Sequence, residues 1–253
     1  MITWNANQYL KFENQRTQPA IDLANRIRNF SPSVVLDIGC GPGNSTNIVK
    51  NFFPKANVIG IDNSSDMIKK ATENYPDINF ILCDAHSLKG KYDVIFSNAC
   101  LQWLPDHTHL IPRLMKNHLN EGGVLAVQIP MNTEEPLFHI INEIANDPKW
   151  GFSIENLDTN ETLTPNEYFD ILSSCSSSFQ IWETTYYHNL PDHKALVEWV
   201  KGTRIRPYLA QLNQEQKEAF ENEIIEKVKE VYPIMASGEV ILKFKRFFFT
   251  AIR

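Results

Sequence analysis

An α/β fold built on a doubly wound, mostly parallel sheet is what this sequence predicts, and three observations carry that expectation. Between residues 34 and 130, strand-like apolar runs alternate with helix-like segments, the rhythm of parallel strands joined by crossover helices. The strand runs are nearly continuous in Val, Ile, Leu and Phe, as expected where helices cover both faces of a sheet. A glycine-rich turn follows the first strand directly, the place where such sheets bind ligands. The full expectation is a seven-stranded sheet with an antiparallel edge strand and a helical lid.

The first 20 residues, rich in Asn, Gln and aromatics, read as an arm and helix near the pocket mouth, within an N-terminal segment 1–30. The core, 31–130, runs VVLDI, the glycine turn, STNIVKNFF, NVIGID, SDMIKKATENY, INFILCD, YDVIFSN, a helical HLIPRLMKNHL and GGVLAVQIP. From 131 to about 178 the rhythm lapses around Pro136, Pro148, Pro165 and SSCSSSF, and the stretch reads as a connecting helix pair. FQIWETTYYH and GEVILKFKRFFFTAIR read as two late strands forming a hairpin at the sheet edge. Helical stretches 192–201 and 213–230 fall between them, in a lid of roughly 189–238 that folds over the pocket; a connection that long is seldom idle. At 253 residues, one domain accounts for the chain, 131–253 included.

Composition narrows the function. A net charge of −6 without a basic stripe argues against nucleic acid. No apolar run reaches the roughly 18 to 20 residues of a membrane span, and the N-terminus lacks a signal design, so a cytoplasmic protein with no membrane partner is expected, with a monomer as the default. Cys40, Cys83, Cys100 and Cys175 form no CxxC pair, and the histidines show no ligand spacing beyond His107 and His109; no disulfide framework and no metal are expected.

The strongest feature is Asp37-Ile-Gly39-Cys-Gly41-Pro-Gly43, between an apolar strand and a helix. Glycines there let the backbone turn sharply and approach a ligand without a β-carbon in the way. The spacing is G-x-G-x-G, whereas dinucleotide loops prefer G-x-G-x-x-G to seat a pyrophosphate. Asp37 would oppose a pyrophosphate and suits a ligand carrying an ammonium and a sulfonium; S-adenosylmethionine carries both. Asp62 ends the second strand, placed to accept from ribose hydroxyls, with Asn63 beside it. Asp84, followed by Ala85, ends the third and is placed to accept from an adenine amino group, while Met67 presses on the ring. Each Asp alone also fits a helix or turn cap; three in succession, with the glycines, favour the ligand. After the fourth strand, Asn98, Ala99 and Trp103 fall beside the methionine end of such a cofactor, Trp103 as a wall or as core.

These segments resemble the class I S-adenosylmethionine-dependent methyltransferases, which are Rossmann-like. In detail they are similar to the trans-aconitate methyltransferase family along the whole chain: WNANQYLKFENQRTQPA, LDIGCGPGNST, GIDNSSDMI, SNACLQWLPDH, GGVLAVQIP, ETTYYH and WVKGTRIRPYL. Met131 stands where that pattern has Asp, and Arg204 where it has Gly. The resemblance implies methyl transfer to a carboxylate of a small anionic substrate, giving a monomethyl ester and S-adenosylhomocysteine. A carboxylate is already ionised at neutral pH and needs no general base, so no dedicated catalytic residue is expected; alignment and exclusion of water do the work. Planar Arg forks suit carboxylates, making Arg206 the first choice for substrate. Arg204, Lys201 and Arg16 come second, and Tyr9, Tyr186, Tyr187 and His188 supply further hydrogen bonds. Three alternatives stay open: a malonyl-acyl carrier protein methyltransferase of biotin synthesis, an NAD-dependent oxidoreductase, and a cofactor-binding protein without catalysis.

Overall fold

The sheet runs β3-β2-β1-β4-β5-β7-β6, built from β1 (Val34–Ile38), β2 (Asn57–Asp62), β3 (Asn79–Leu82), β4 (Tyr92–Asn98), β5 (Leu119–Pro130), β6 (Ser178–Leu190) and β7 (Val240–Ile252). In the computed structural model, residues 13–153 and 162–253 are described, with side chains from Thr17 onward. Strands β3, β2, β1, β4 and β5 pair in parallel, and β7 runs antiparallel to β5. The two late strands lie together at this edge as expected, β7 antiparallel to β5 and β6 beyond it. Strand order reverses between β1 and β4, which opens a crevice at their carboxyl ends.

The sequence pattern explains the positions. Strand β1 is buried at every residue after Val34, as a central strand covered on both faces must be. Edge strand β6 alternates along most of its length, with its odd-numbered residues from Glu183 to Asn189 exposed. The amino ends of the central strands are pinned by Asp93: its carboxylate accepts from the N–H groups of Ser33 and Val34 and from Asn120 Nδ2, at 2.7–3.0 Å. Those donors hold its carboxyl below the usual carboxylate range.

The helices are α1 (Glu13–Arg26), α2 (Asn44–Phe52), α3 (Ser65–Asn74), α4 (His107–Arg113), α5 (Pro136–Ala145), α6 (Pro165–Cys175), α7 (His193–Lys201), α8 (Arg206–Leu209) and α9 (Gln214–Val231). Helix α1 packs on α2 and β5. The single helix expected around HLIPRLMKNHL is broken: α4 stops at Arg113 and a π-helical turn, Leu114–His118, leads into β5. Pro112 lies inside α4, and its missing N–H and bulky ring disturb the helical ladder there.

Two compact units emerge: residues 1–130, 160–184 and 246–253, and residues 131–159 and 185–245. The expected connecting helix pair divides between them, α6 in the first unit and α5 in the second. The second unit takes the whole stretch between the late strands, with α7, α8 and α9; the four-residue α8 lies outside the helical stretches expected there. Its interior includes a cluster of Trp150, Phe152, Tyr208 and Phe220 rings, with centroids 4.9–6.2 Å apart. Tyr232 anchors α5 there, its hydroxyl donating to Glu135 Oε1 at 2.6 Å and accepting from the Leu137 N–H at 3.0 Å. Among the described residues, no helix is long and apolar enough to cross a membrane.

Candidate functional site

The turn between β1 and α2 and the turn after β4 meet at the crevice where strand order reverses. In the first turn the backbone donors are already spent. Gly39 and Cys40 both donate to the Ile61 carbonyl, Gly41 to Asp62 Oδ2 at 3.0 Å, and Gly43 to the Cys40 carbonyl; residue 42 is Pro. A pyrophosphate would need those N–H groups, so the loop has little to offer an anion.

The glycines divide by role. A β-carbon on Gly39 would lie 2.1 Å from Cys100 Sγ, whereas one on Gly41 would meet nothing within 4 Å. Both are expected from the glycine spacing to allow ligand approach; the missing atom of Gly39 also serves packing of the two turns against each other, and Gly41 is the one facing open space.

Carboxylates flank this opening. Asp37 is fully buried; its Oδ2 accepts from Ser45 Oγ at 2.6 Å and Thr46 Oγ1 at 2.7 Å, fastening the first turn of α2. Its Oδ1 has no hydrogen-bond partner. Burial pushes its pKa up to about 6, partly offset by those two hydroxyls. Asp62 takes the Gly41 N–H on Oδ2 and the Ser64 N–H on Oδ1, and burial raises its carboxyl as well. Asp84 is exposed and caps the turn Ala85–Ser87 by accepting from the His86 N–H at 2.7 Å, which lowers its pKa. The capping alternative thus describes Asp84 and part of Asp62, while Asp37 retains a buried oxygen with no partner.

The other expected cofactor contacts spread around these acids. Asn63 is exposed, Met67 is buried on the first turn of α3, and Ala85 is buried behind Asp84. Asn98 closes β4 as a buried residue. Ala99 adopts φ +54°, a left-handed conformation costly for a residue with a β-carbon. Two bonds hold it: its N–H donates to the Gln128 carbonyl, and its own carbonyl accepts from Gln102 Nε2 at 2.8 Å. Trp103 is half-buried in the turn Leu101–Trp103 that follows. Gln128, whose backbone carbonyl holds Ala99, is not among the residues the motifs single out. The signal was a lone amide inside the run Leu125–Ile129, every residue of which is buried.

The expected substrate residues do not form one cluster. Tyr9 lies outside the described residues; Arg16 lies in α1, with its side chain outside them. In the second unit, Lys201 and Arg206 line a groove of about 510 Å³ together with Lys194, Glu198 and Glu221. The Lys201 ammonium is held by Glu198 at 3.1 Å and Glu221 at 2.8 Å. Arg204 lies elsewhere, donating to Asn142 Oδ1 on α5 at 2.7 Å. His188 is buried with its ring 4.6 Å from Trp199, Tyr186 stacks on His188, and Tyr187 is exposed.

Comparison with known proteins places this geometry. Residues 30–235 match the family described as Methyltransferase domain. Trans-aconitate 2-methyltransferase of Rhodopseudomonas palustris (strain BisB5) is 41% identical over 257 residues, covering 100% of both chains. The Agrobacterium fabrum protein of the same name is 40% identical over 256 residues, again with 100% of both chains covered. Among solved structures, the YcgJ protein from Bacillus subtilis superposes with a TM-score of 0.62 at 14% identity, over 93% of this chain and 98% of that one. Phosphoethanolamine N-methyltransferase 2 of Haemonchus contortus, solved with S-adenosylhomocysteine, gives 0.55 at 17% identity over 92% and 52%.

Proposed function

Because the chain belongs to the methyltransferase-domain family, and within it to the family of the trans-aconitate 2-methyltransferases, we propose that it methylates one carboxylate of trans-aconitate, using S-adenosylmethionine. The observation that carries the cofactor assignment is the loop itself. Its N–H groups at Gly39, Cys40, Gly41 and Gly43 are all donated within the protein, while the fully buried Asp37 and the half-buried Asp62 place two carboxylates beside that turn. Such a site rejects a pyrophosphate and attracts a cation. Three observations support the fit: a β-carbon on Gly41 would meet nothing within 4 Å, Asp37 Oδ1 lacks a partner, and Asp62 ends β2 with its carboxylate bound to the Gly41 turn.

S-adenosylmethionine supplies a methyl group made electrophilic by a sulfonium. The acceptor carboxylate needs no proton removed, so no side chain of this chain acts as general base. The protein's contribution is positional: within the first unit Asp62 and the Gly41 turn would fix the nucleoside end and the loop after β4 the reacting end, and Arg206 of the second unit is the residue we assign to a carboxylate of the acceptor. Alignment alone accounts for roughly 7–11 kcal/mol of barrier lowering in well-ordered systems.

The test is a transfer assay with labelled cofactor against small di- and tricarboxylates and malonyl-acyl carrier protein. Turnover is expected on trans-aconitate. Transfer to the carrier protein alone would overturn the assignment, as would calorimetry showing that NADH binds and S-adenosylhomocysteine does not.

A further inference from the structure

Beside the cofactor loop, the first unit holds an amide with no function in the fold. Gln128 is 0% exposed, and neither its Nε2 nor its Oε1 has a hydrogen-bond partner. Its neighbour in register on the parallel strand β4 is Asn98, 9% exposed, whose Oδ1 is likewise without a partner. Register partners project from the same face of a sheet, with strands about 4.8 Å apart, so the two amides stand side by side. Asp37, Phe96 and Ala126 share one row across β1, β4 and β5. Asn98 and Gln128 come two residues later on their strands, which puts them on the same face as Asp37 and nearer the carboxyl edge, where ligands bind.

The pair cannot retreat from this position. Ala99 donates to the Gln128 carbonyl, and Ser97 Oγ donates to the Ile38 carbonyl at 3.0 Å, so the strand ends that carry the amides are pinned. Each buried polar atom left unpaired costs about 1–3 kcal/mol, and such atoms in a native fold call for a partner from outside it. Both ends of the Gln128 amide are orphaned, so the conclusion is the same whichever way the amide is turned.

We infer that Gln128, beside Asn98, is the positioning residue for the reacting carboxylate of the methyl acceptor; this rests on the function proposed above. In the transfer, a lone pair on one carboxylate oxygen forms the O–CH₃ bond while the C–S bond breaks and its electrons remain on sulfur. The carboxylate's negative charge and the sulfonium's positive charge disappear together, and no proton moves. A cation paired with the nucleophilic oxygens would stabilise the charged reactants more than the less charged transition state, and slow the step. A neutral amide avoids this: Nε2 donates to one oxygen and leaves the other in line with the methyl group. The charged donors then serve the carboxylates that do not react. Strand order supports the acceptor over the cofactor. The acids assigned to the cofactor lie on β1, β2 and after β3, and β5 is the strand farthest from them as a set within the parallel strands.

The experiment uses the full chain with Gln128→Met, similar in size without a donor, and Gln128→Glu, similar in shape but anionic. For each, kcat and KM toward trans-aconitate, calorimetric affinity for S-adenosylhomocysteine, and the thermal midpoint are measured. Gln128→Met is expected to lower kcat/KM for the acceptor about 10- to 100-fold, and Gln128→Glu further, through repulsion. S-adenosylhomocysteine affinity is expected to stay within about twofold, and the midpoint of Gln128→Met to hold or rise, since an orphaned amide has been removed. Unchanged acceptor kinetics in both variants would overturn the inference. So would a loss of S-adenosylhomocysteine affinity matching the loss of kcat/KM, which would assign the amide to the cofactor, or unfolding of both variants, which would make it structural. A wild-type protein that methylates no carboxylate removes the proposed function, and this inference with it, before any variant is compared.

Discussion

The sulfur of Cys100 occupies the space that a side chain on Gly39 would need, 2.1 Å from the position of a β-carbon there. The turn after β1 and the turn after β4 are therefore closed on each other by one missing atom. Gly39 also sits at φ +72°, which costs a residue with a β-carbon about 1 kcal/mol by itself. Gly39→Ala should destabilise the fold by about 2–4 kcal/mol in urea titration and weaken S-adenosylhomocysteine binding. Adding Cys100→Gly should recover at least about 1 kcal/mol of that loss, leaving the φ penalty. Strict additivity of the two changes would show that the contact is not what demands glycine.

The same packing silences two thiols. Burial pushes both Cys40 and Cys100 well above the ordinary thiol range, and the nearby Asp37 and Asp62 charges add to it. Since the thiolate is the nucleophile, the native protein at pH 8 should leave Cys40 and Cys100 unmodified by iodoacetamide, whereas the urea-unfolded chain is alkylated at both. Peptide mass mapping reads this directly. Rapid modification of Cys100 in the native state would mean that the turns open readily.

What the sequence displayed and what it hid divide along physical lines. Strands such as Val34–Ile38 and Val124–Pro130 announced themselves because burial on both faces requires nearly continuous apolar runs, interrupted here by Asp37 and Gln128 alone. The glycine spacing marked the ligand loop because backbone geometry is written in glycine. Hydrogen-bond direction is not: nothing in the letters says that Gly41 donates inward to Asp62, or that one oxygen of Asp37 goes to Ser45 and Thr46 while the other goes unpaired. Gln128 hid inside a strand whose period was correctly read, because a periodic pattern treats one polar residue as noise. The cations expected to hold the substrate were the least legible. Charge is visible in a sequence, but the partnering of Lys201 with Glu198 and Glu221 depends on how α7 meets α9.

Asp62 carries a double load, ordering the Gly41 turn and the start of α3. Asp62→Ala would strand the Gly41 and Ser64 N–H groups and remove the proposed acceptor for the ribose. Loss of hydrogen bonds to a charged group is worth about 1.5–3 kcal/mol each, so S-adenosylhomocysteine affinity should fall at least about 10-fold. Asp62→Asn, which keeps one acceptor oxygen, should fall between wild type and Ala. Equal affinity for all three in calorimetry would remove Asp62 from the site.

The proposed role of Arg206 can be tested on acceptor and cofactor separately. If its guanidinium holds an acceptor carboxylate, Arg206→Ala should raise the KM for trans-aconitate about 10-fold or more while leaving S-adenosylhomocysteine affinity unchanged. Arg206→Lys should recover only part, because a point charge lacks the planar fork. Acceptor kinetics indifferent to Arg206→Ala would refute the assignment.

Asp37 ties stability to function through pH. Its carboxyl titrates at about 6 in the folded chain against 3.8 as a free side chain, so the folded state holds the proton more tightly between those values. The group's contribution to stability is greatest below about pH 4 and is lost as pH rises through 6. The difference corresponds to on the order of 3 kcal/mol, from about 1.4 kcal/mol per pH unit. Asp37→Asn retains an oxygen for Ser45 and Thr46 and has no charge to bury, so between pH 4 and 7 its stability in urea should lack this downward slope, and at pH 7.5 it should exceed wild type. The stabilised variant should bind S-adenosylmethionine more weakly, since the buried charge it lacks is what attracts the ligand's cations. For the same reason, wild-type affinity should rise as pH goes from 5 to 7 and flatten above that. Parallel stability curves for wild type and Asp37→Asn across this range would show that Asp37 is ionised without strain, and the link between its burial and cofactor attraction would fail with them.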